Sequence, residues 1–466
     1  MSKKRSPAET ETGIAPGLGA LISRAAKQMS GRETLTRNAA IAINLGIPTP
    51  SLAFSWLLQS NVVPLSRLIS IVGEEGTLKS GLTIDMFRWV TATCMEYNAL
   101  VPGMLQYNEN ENKPALDFFW SFLENNRDLE QIIEINHTRI MDEWQSNLLR
   151  KIDEWAKLDE WAKLFDKDVG DGNPGWIIPL GLAVDSLMAT ACQEAIDALV
   201  KKGSAGRSFP IDANSLSQFA KALGMILGGR PVWLIVTNHA KPFTDRDTGL
   251  PKWNIPGGKS FKFMQSLEFF LTRVKDVHRV NFNGVDIAIR ATKNCFGESR
   301  RKMIVPVRWT HDIDPETGQS RQWSMWDWPQ ASIMLIQHFQ AKQPGLAKQI
   351  AEIVEIRPGK NANRVWSPTL GINSRDEAVS LHEAGCMLEE RPDILEALYP
   401  ILSIKQGRFY RPGMDFRAAL ADTDAAPDSQ TLRTFRRPIA GDLDRLNLID
   451  DSVETAAQAG SDVYDG

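Results

Sequence analysis

Four short, continuous apolar runs lie in the first 240 residues of the chain, and each of them ends in polar residues. Between the runs, apolar residues recur at helical spacing, as at Leu82, Phe87 and Val90. Continuous apolar strands that alternate with helices are typical of a parallel sheet buried on both faces. The pattern therefore predicts an α/β fold with a mostly parallel sheet flanked by helices. The predicted strands end at Val72, at Glu109, at Asp185 and at Asn238-His239.

The hydrophobic pattern changes after about residue 280. Two runs, at 279–290 and 301–309, have the character of antiparallel strands, and a helical region with turns follows from Trp328 to about Pro412. We therefore expect a small, separate C-terminal domain. The predicted organisation is an N-terminal tail and helix over residues 1–45, an α/β core over 46–330 with a helical insertion near 120–170, a C-terminal domain over 331–424, and an acidic tail, expected to be disordered, over 425–466.

Composition restricts the functions that the chain can have. Of its 466 residues, 43% are apolar and 24% are charged, which is typical of a globular protein. No apolar run is long enough to span a bilayer and the first residues lack a secretory signal, so we expect a cytoplasmic protein without a membrane partner. The four cysteines are too far apart for a metal or disulfide pattern, and buried thiols are expected. With a formal net charge of −4, nucleic-acid binding would require local basic loops.

The segment from Gly73 to Ser80 has the layout of a phosphate-binding loop. An apolar run leads into a glycine-containing turn, and Lys79-Ser80 opens a predicted helix. In such a loop, backbone N–H groups surround the β-phosphate of ATP, the lysine neutralises charge and the serine hydroxyl completes the shell of a Mg²⁺ ion. Leu78 stands where the usual pattern has its second glycine, so the motif alone also fits an ordinary strand-turn-helix with a surface lysine. The predicted nucleotide-binding residues are Gly73, Glu74, Glu75, Gly76, Thr77, Leu78, Lys79, Ser80 and Gly81.

Polar residues at the ends of the next strands supply the other groups that ATP hydrolysis needs. One carboxylate must hold or orient the Mg²⁺ shell, and another must position water for in-line attack on the γ-phosphate. Asp185 fits the first role and Glu109 the second, with Glu111 as its close competitor. Each of them, taken alone, is also explained as a solvated strand end. The predicted metal ligands are Ser80 and Asp185, and the predicted catalytic residues are Lys79, Glu109, Asn238 and His239, of which Asn238 or His239 would respond to the γ-phosphate.

With this order of motifs, the sequence resembles the RecA recombinase family, and within it the phage UvsX-like branch, over about residues 45–310. That family has a phosphate loop, a catalytic glutamate that ends the next strand, an Asp-Ser after the Walker B strand, and a sensor strand that ends in Asn-His in the phage branch. The phage branch also tolerates a bulky residue at the position of Leu78. The resemblance implies a RecA-type P-loop ATPase core. The matching positions here are Gly73 to Ser80, Glu109, Asp185-Ser186 and Asn238-His239.

Residues 240–266 are similar to the family's second DNA-binding loop, which closes with Gly-Gly, a few residues, Lys-Phe and a serine. A mobile loop with several cations can follow DNA phosphates, and Trp253 or Phe243 would wedge between bases. The Gly-Gly-Lys-Ser at 257–260 is not a second phosphate loop, because no strand directly precedes it. Residues 198–208 are the candidate first DNA loop, which an ordinary charged loop explains about equally well. The predicted DNA-binding residues are Lys201, Lys202, Arg207, Lys241, Arg246, Lys252, Trp253, Gly257, Gly258, Lys259 and Lys262.

The resemblance implies an ATP-dependent DNA recombinase that forms filaments on single-stranded DNA and promotes strand exchange with double-stranded DNA. Its cofactors would be ATP and Mg²⁺, and its partners would be DNA, further copies of itself and mediator proteins, in the cytoplasm of a bacterial host. In such filaments ATP lies between protomers, and Lys293 would reach the neighbour's phosphates, although Cys295 departs from the family pattern. The N-terminal helix would dock on the adjacent protomer.

Two other functions fit parts of the same sequence. A ring helicase or another motor with a RecA core shares the phosphate loop and the Walker B strand, but it should lack a Gly-Gly-Lys-Phe loop. A single-strand-binding assembly protein would bind nucleotide through the altered loop without hydrolysing it. DNA-stimulated ATP hydrolysis distinguishes the recombinase from the second of these, and filaments rather than closed rings distinguish it from the first.

Overall fold

The computed structural model describes residues 45–95, 103–111, 116–123, 129, 131–155, 179–202, 209–227, 230–244, 249, 251–255, 258–278, 283–313, 320–361 and 363–411. The predicted N-terminal helix, the acidic tail and residues 156–170 of the predicted insertion lie outside them. The strands are β1 (Leu45–Pro48), β2 (Val62–Pro64), β3 (Arg67–Gly73), β4 (Leu105–Glu109), β5 (Ile133–His137), β6 (Leu180–Asp185), β7 (Val232–His239), β8 (Lys241–Thr244), β9 (Pro251–Asn254), β10 (Gln265–His278), β11 (Asn283–Asn294), β12 (Lys302–Ile313), β13 (Ser320–Trp326), β14 (Arg357–Pro358), β15 (Arg364–Trp366), β16 (Val379–Ser380) and β17 (Arg408–Phe409). The helices are α1 (Leu52–Leu58), α2 (Lys79–Met95), α3 (Leu116–Phe122), α4 (Met141–Trp155), α5 (Gln193–Lys202), α6 (Phe209–Leu227), α7 (Gly258–Met264), α8 (Trp328–Lys342), α9 (Pro344–Ile353), α10 (Leu381–Glu389) and α11 (Pro392–Ile401).

A nine-stranded sheet in the order β13-β12-β11-β10-β3-β7-β6-β4-β5 forms the centre of the fold. The strands from β10 to β5 in this order pair in parallel, and the strands from β10 to β13 pair antiparallel. The predicted mixed α/β architecture with a mostly parallel central sheet is therefore confirmed. The four predicted strands are β3, β4, β6 and β7, and the predicted antiparallel pair is β11 and β12.

Side-chain caps determine where several helices begin. The Ser51 hydroxyl accepts a hydrogen bond from the Phe54 amide at the start of α1, and Asp327 does the same for Gln330 at the start of α8. Ser380 and Glu383 form a reciprocal capping box on α10. Each cap satisfies a first-turn N–H group that has no partner within its helix.

An aromatic cluster in the core joins α1, α2 and α8. The Phe54 ring makes edge contacts with Trp89 at 4.8 Å and with Trp328 at 5.1 Å between ring centroids. The indole N–H of Trp328 also donates a 2.8 Å hydrogen bond to the buried carboxylate of Asp85. Burial raises the pKa of Asp85, and the neighbouring Arg88 opposes that shift. Helix α8 is therefore joined to the helix that follows the glycine-containing turn.

Segments from the predicted C-terminal domain also contact the start of the core. Strand β17 pairs in parallel with β1. The buried Glu389 carboxylate of α10 accepts a 2.8 Å hydrogen bond from the Leu52 amide and a 2.6 Å bond from the Ser332 hydroxyl. The predicted boundary between residues 330 and 331 lies inside α8. Among the described residues, none of the helices is both long enough and apolar enough to cross a bilayer.

Candidate nucleotide site at the carboxyl ends of the parallel strands

Residues 73–80 form a tight loop between β3 and α2, which we call the glycine loop. Gly76 has a φ angle of +75° and Leu78 has a φ angle of +58°. The left-handed region costs a side-chain-bearing residue about 1–2 kcal/mol, which is why a glycine suits the position of Leu78. The Leu78 side chain is half-buried and packs against the hydrophobic core, and this contact offsets part of that cost.

Two donors inside the glycine loop converge on one carbonyl. The Thr77 hydroxyl donates to the Glu74 carbonyl oxygen at 2.8 Å, and the Lys79 ammonium donates to the same oxygen at 2.7 Å. Lys79 is only 6% exposed, so its charge is held inside the loop. A Cβ atom on Gly73 would lie 2.6 Å from the Thr77 hydroxyl, so the first glycine is needed for the loop to close.

Strand register brings the predicted polar residues to one edge of the sheet. Gly73 is the Cα partner of His239 in the β3–β7 pair, and Glu109 is the partner of Asp185 in the β4–β6 pair. The Ala240 amide also donates to the Gly73 carbonyl at 3.0 Å. We call this group of residues the strand-end site; its members are Lys79, Ser80, Glu109, Asp185, Asn238 and His239.

The Asp185 carboxylate is buried and is held by two hydroxyl groups. Thr237 donates to its Oδ1 atom at 2.5 Å, and the Tyr107 phenol donates to its Oδ2 atom. Burial and then the negative charge of Asp185 raise the pKa of Tyr107 well above its usual range, although a hydrogen bond with the Ser80 side chain opposes the shift. Tyr107 therefore keeps its proton at neutral pH and lies between the two predicted metal ligands. The Asp185–Ser186 peptide bond is cis.

The two candidate bases, Glu109 and Glu111, have different partners. The mostly buried Glu109 accepts from the Glu111 amide at 2.9 Å, and its other oxygen lies 3.2 Å from His137 Nδ1. Glu111 lies 2.6 Å from His239 Nε2. Glu109 is thus placed beside Asp185 by strand pairing, whereas Glu111 is paired with a predicted sensor residue. Asn238 is buried, and its side-chain oxygen accepts from the His239 amide at 3.0 Å.

A two-stranded hairpin of β8 and β9 begins after a single residue that follows β7, and we call it the basic hairpin (residues 241–244 and 251–254). Its strands pair Pro242 with Trp253 and Phe243 with Lys252. Phe243 is 45% exposed and Trp253 is 41% exposed, which is unusual for large apolar side chains. The Trp253 ring also contacts Phe270 of β10, with 5.3 Å between centroids. The hairpin therefore presents cations and aromatic rings together.

The remaining predicted DNA-binding residues are spread over other segments. Lys201 is exposed near the end of α5, and Lys262 is exposed on α7. Lys202 and Lys259 belong to these helices, but their side chains lie outside what the structure describes, and Gly258 opens α7. Arg207, Arg246 and Gly257 lie outside the described residues.

Lys293, the predicted contact to a neighbouring protomer, bonds within its own chain. Its ammonium donates to the Lys262 carbonyl at 2.7 Å and to the Phe263 carbonyl at 3.2 Å. These carbonyls belong to the last turn of α7, where a cation is favoured by the helix dipole. Burial lowers the pKa of Lys293, and the Glu268 carboxylate opposes that shift.

The donor groups of the strand-end site fit a nucleotide phosphate with a magnesium ion. The first-turn amides of α2 have no partners within the helix, which makes them anion donors, and the Lys79 charge lies beside them. In the described part of the chain, no group of three or more His, Cys, Asp or Glu side chains is arranged to hold a metal. Ser80 and Asp185 would supply only two oxygens, which suits Mg²⁺, because this ion usually keeps phosphate and water ligands.

No protein-family model matches the chain, and a search of curated proteins also finds no match.

Three residues that contact members of the strand-end site were not identified from the sequence. Tyr107 is an interior residue of β4, Thr237 precedes the predicted sensor pair, and His137 ends β5. Period-two alternation places Tyr107 on the same face of β4 as Glu109, and this was the available signal for Tyr107. For His137 the signal was weaker, because its strand is largely polar and only its pairing with β4 reveals the contact.

Proposed function

We propose that this chain is a RecA-type, ATP-dependent DNA recombinase that polymerises on single-stranded DNA and promotes homologous pairing and strand exchange. The single observation that carries the proposal is the meeting of the glycine loop with Glu109, Asp185 and Asn238-His239 at one sheet edge. Parallel α/β sheets bind ligands at this edge. The basic hairpin follows the sensor pair after one residue, so a nucleotide site and a DNA-binding surface are adjacent in the chain.

At the nucleotide, the glycine loop and the first turn of α2 bind the phosphates. Lys79 leaves the Glu74 carbonyl and donates to a phosphate oxygen instead. Ser80 and Asp185 would hold Mg²⁺, and a bound Mg²⁺ would offset negative charge on the phosphates. Tyr107 and Thr237 keep the Asp185 carboxylate in one orientation, because each of its oxygens accepts a hydrogen bond from one of them.

Hydrolysis requires a base beside the γ-phosphate, and Glu109 is the better placed of the two candidates. It is buried next to Asp185, and His137 orients its carboxylate. It accepts the proton of the attacking water. Glu111 instead holds the His239 imidazole. Asn238 and His239 respond to loss of the γ-phosphate, and they pass this change to the basic hairpin that follows them in the chain.

DNA binding by the basic hairpin combines phosphate contacts with stacking. Lys241 and Lys252 neutralise phosphates, and the exposed rings of Trp253 and Phe243 stack on bases. Such contacts do not distinguish one base sequence from another, so recognition of the homologous strand is left to base pairing.

The decisive experiment measures ATP hydrolysis with and without single-stranded DNA at fixed Mg²⁺. We expect DNA to stimulate turnover, Glu109→Gln to lower the stimulated rate by about two orders of magnitude, and Glu111→Gln to lower it less. Electron microscopy with DNA and ATP should show helical filaments. Closed rings would favour a helicase, and nucleotide binding without turnover would favour an assembly protein. A folded protein that neither binds nucleotide nor hydrolyses it contradicts all three functions.

A further inference from the structure

A second group of reactive side chains lies far along the chain from the strand-end site, at the contact between α8 and α10. His382 and Cys386 are one helical turn apart on α10, and Asp327 immediately precedes α8. His382 Nδ1 lies 2.7 Å from the Asp327 carboxylate, and His382 Nε2 lies 3.4 Å from the Cys386 sulfur. The imidazole therefore bridges a carboxylate and a thiol, one on each ring nitrogen.

The orientation of the His382 ring is determined by its surroundings. Asp327 is almost fully buried and also caps α8 through the Gln330 amide at 3.0 Å. The carboxylate accepts a hydrogen bond from the Nδ1–H group, and Nε2 faces the sulfur. Burial lowers the pKa of His382, but the charge of Asp327 more than reverses this, and the pKa stands well above its ordinary value. The charged and titratable groups that act on His382 are Asp327 from the segment before α8 and Cys386 from its own helix.

Cys386 also differs from the other three cysteines in its surroundings. Cys94 and Cys192 are buried, whereas Cys295 and Cys386 are partly exposed, so the expectation of buried thiols holds for only two of the four. Burial raises the pKa of Cys295 to about 11, which keeps its thiol protonated. Cys386 combines partial exposure with an imidazole at its sulfur, and these are the conditions under which a protein thiol becomes a nucleophile.

We propose that Cys386, together with His382 and Asp327, forms a thiol-modification site that reacts with small-molecule disulfides. The Cys386 proton is held on His382 Nε2, and the resulting imidazolium is stabilised by Asp327. The thiolate attacks one sulfur of the disulfide, a new S–S bond forms to Cys386, the original S–S bond breaks, and the second half leaves as a thiolate. Cys386 is oxidised and the leaving half is reduced, so no further oxidant is needed.

This inference does not depend on the proposed ATPase activity, and it is tested on the full-length protein with dithiodipyridine as the disulfide. The measurement is the rate of mixed-disulfide formation at each cysteine, followed by peptide mass spectrometry between pH 6 and pH 8. We expect one fast thiol, Cys386, which reacts at least about tenfold faster than Cys295 at pH 6. Its rate should change by less than about threefold across this range, whereas an ordinary thiol slows nearly a hundredfold as it becomes protonated.

Three variants separate activation from simple exposure. Cys386→Ser should abolish the fast reaction, and His382→Gln or Asp327→Asn should make the rate at Cys386 fall with pH as it does for an ordinary thiol. The other cysteines report on folding, because Cys94 and Cys192 stay unreactive only while the core is intact. If a variant unfolds and all thiols react, the pH dependence of the Cys386 rate in the protein without substitutions still tests the proposal. A Cys386 rate that falls nearly a hundredfold between pH 8 and pH 6, or that equals the Cys295 rate, would falsify the proposal.

Discussion

The strand-end site and the basic hairpin are separated by a single residue, yet they are built in opposite ways. In the strand-end site, Lys79, Asp185 and Asn238 are 6%, 2% and 1% exposed, and each side chain has a hydrogen-bond partner: the Glu74 carbonyl for Lys79, the Thr237 hydroxyl for Asp185 and the His239 amide for Asn238. In the basic hairpin, Phe243 and Trp253 are 45% and 41% exposed on two short strands, and the Trp253 ring also contacts Phe270 of β10. Two-stranded hairpins have little stability of their own.

The difference corresponds to two kinds of ligand recognition. A buried site has its charges and donors oriented before the ligand arrives, so little reorganisation is needed at the reacting atoms. The rings of an exposed hairpin become buried only when a ligand covers them. Few contacts fix their position before that, so the hairpin can adapt to a flexible polymer. We therefore expect substitutions in the strand-end site to change chemistry and stability, and substitutions in the basic hairpin to change DNA affinity alone.

The largest effect is expected from Lys79→Ala. Removal of the ammonium from the start of α2 should reduce ATP hydrolysis by at least about a hundredfold, because the charge on the phosphates is no longer neutralised. Binding of single-stranded DNA without nucleotide should stay unchanged, as measured by fluorescence anisotropy. Lys348→Ala, an exposed lysine on α9, is the matched control and should hydrolyse ATP normally. Normal turnover by Lys79→Ala would show that the glycine loop is not the phosphate site.

The next largest effect is expected from Tyr107→Phe. Without the phenol, one oxygen of the buried Asp185 carboxylate loses its donor, so the free energy of unfolding should fall by about 1–3 kcal/mol in urea denaturation. The Mg²⁺ concentration for half-maximal hydrolysis should rise by about ten- to a hundredfold, because the carboxylate is less well oriented. Thr237→Val removes the other donor and should act in the same direction. Unchanged stability and Mg²⁺ dependence in both variants would contradict the role of this hydroxyl pair.

For the basic hairpin, Trp253→Ala should weaken binding of single-stranded DNA by about 5- to 150-fold, since stacking on one base contributes about 1–3 kcal/mol. The free energy of unfolding should change by less than about 1 kcal/mol, because the ring is partly exposed and lies outside the buried core. Val274→Ala, at another exposed apolar residue, is the control and should bind DNA normally. A stability loss as large as that of Tyr107→Phe would remove the contrast between the two regions.

The smallest effect is expected where the glycine loop meets α2. Leu78→Gly relieves the strain of a side-chain-bearing residue in the left-handed region, which should stabilise the folded state by about 1–2 kcal/mol. The same substitution removes the half-buried apolar contact and adds conformational freedom to the unfolded chain, and both of these effects destabilise the fold. These terms nearly cancel, so the free energy of unfolding should change by less than about 1 kcal/mol. Leu82→Ala, at a fully buried residue one turn later, should cost about 2–5 kcal/mol. A large destabilisation by Leu78→Gly would show that packing of Leu78 outweighs its backbone strain.

Much of the strand-end site was predictable because it depends on local order along the chain. An apolar run that ends in polar residues predicts a buried strand with its polar end at the sheet edge, and β3, β4, β6 and β7 follow this rule. Leu78 stands where the usual motif has a glycine, and its positive φ angle is the physical reason that a glycine suits this position. Tyr107 was missed because a tyrosine inside an apolar strand is usually only a packing residue.

The pairs Glu111–His239 and Glu109–His137 could not be predicted from spacing. Their partners are 128 and 28 residues apart, and each contact exists only because the intervening strands take particular places in the sheet. The same is true of Asp327 and His382, whose contact depends on the packing of α8 against α10. Sequence separation carries no information about such contacts until the order of the elements is known.

The sequence by itself therefore determined the α/β class, the ends of the main parallel strands and the chemical types of residue that collect at those ends. Hydrophobic periodicity and turn residues act over a few neighbours, so they can be seen in the chain alone. The tertiary structure alone decided which carboxylate is buried beside Asp185, which hydroxyls hold it, and that a histidine joins Asp327 to Cys386. Those relations depend on strand order, register and helix packing, because side chains distant in sequence interact only after these bring them within hydrogen-bonding distance.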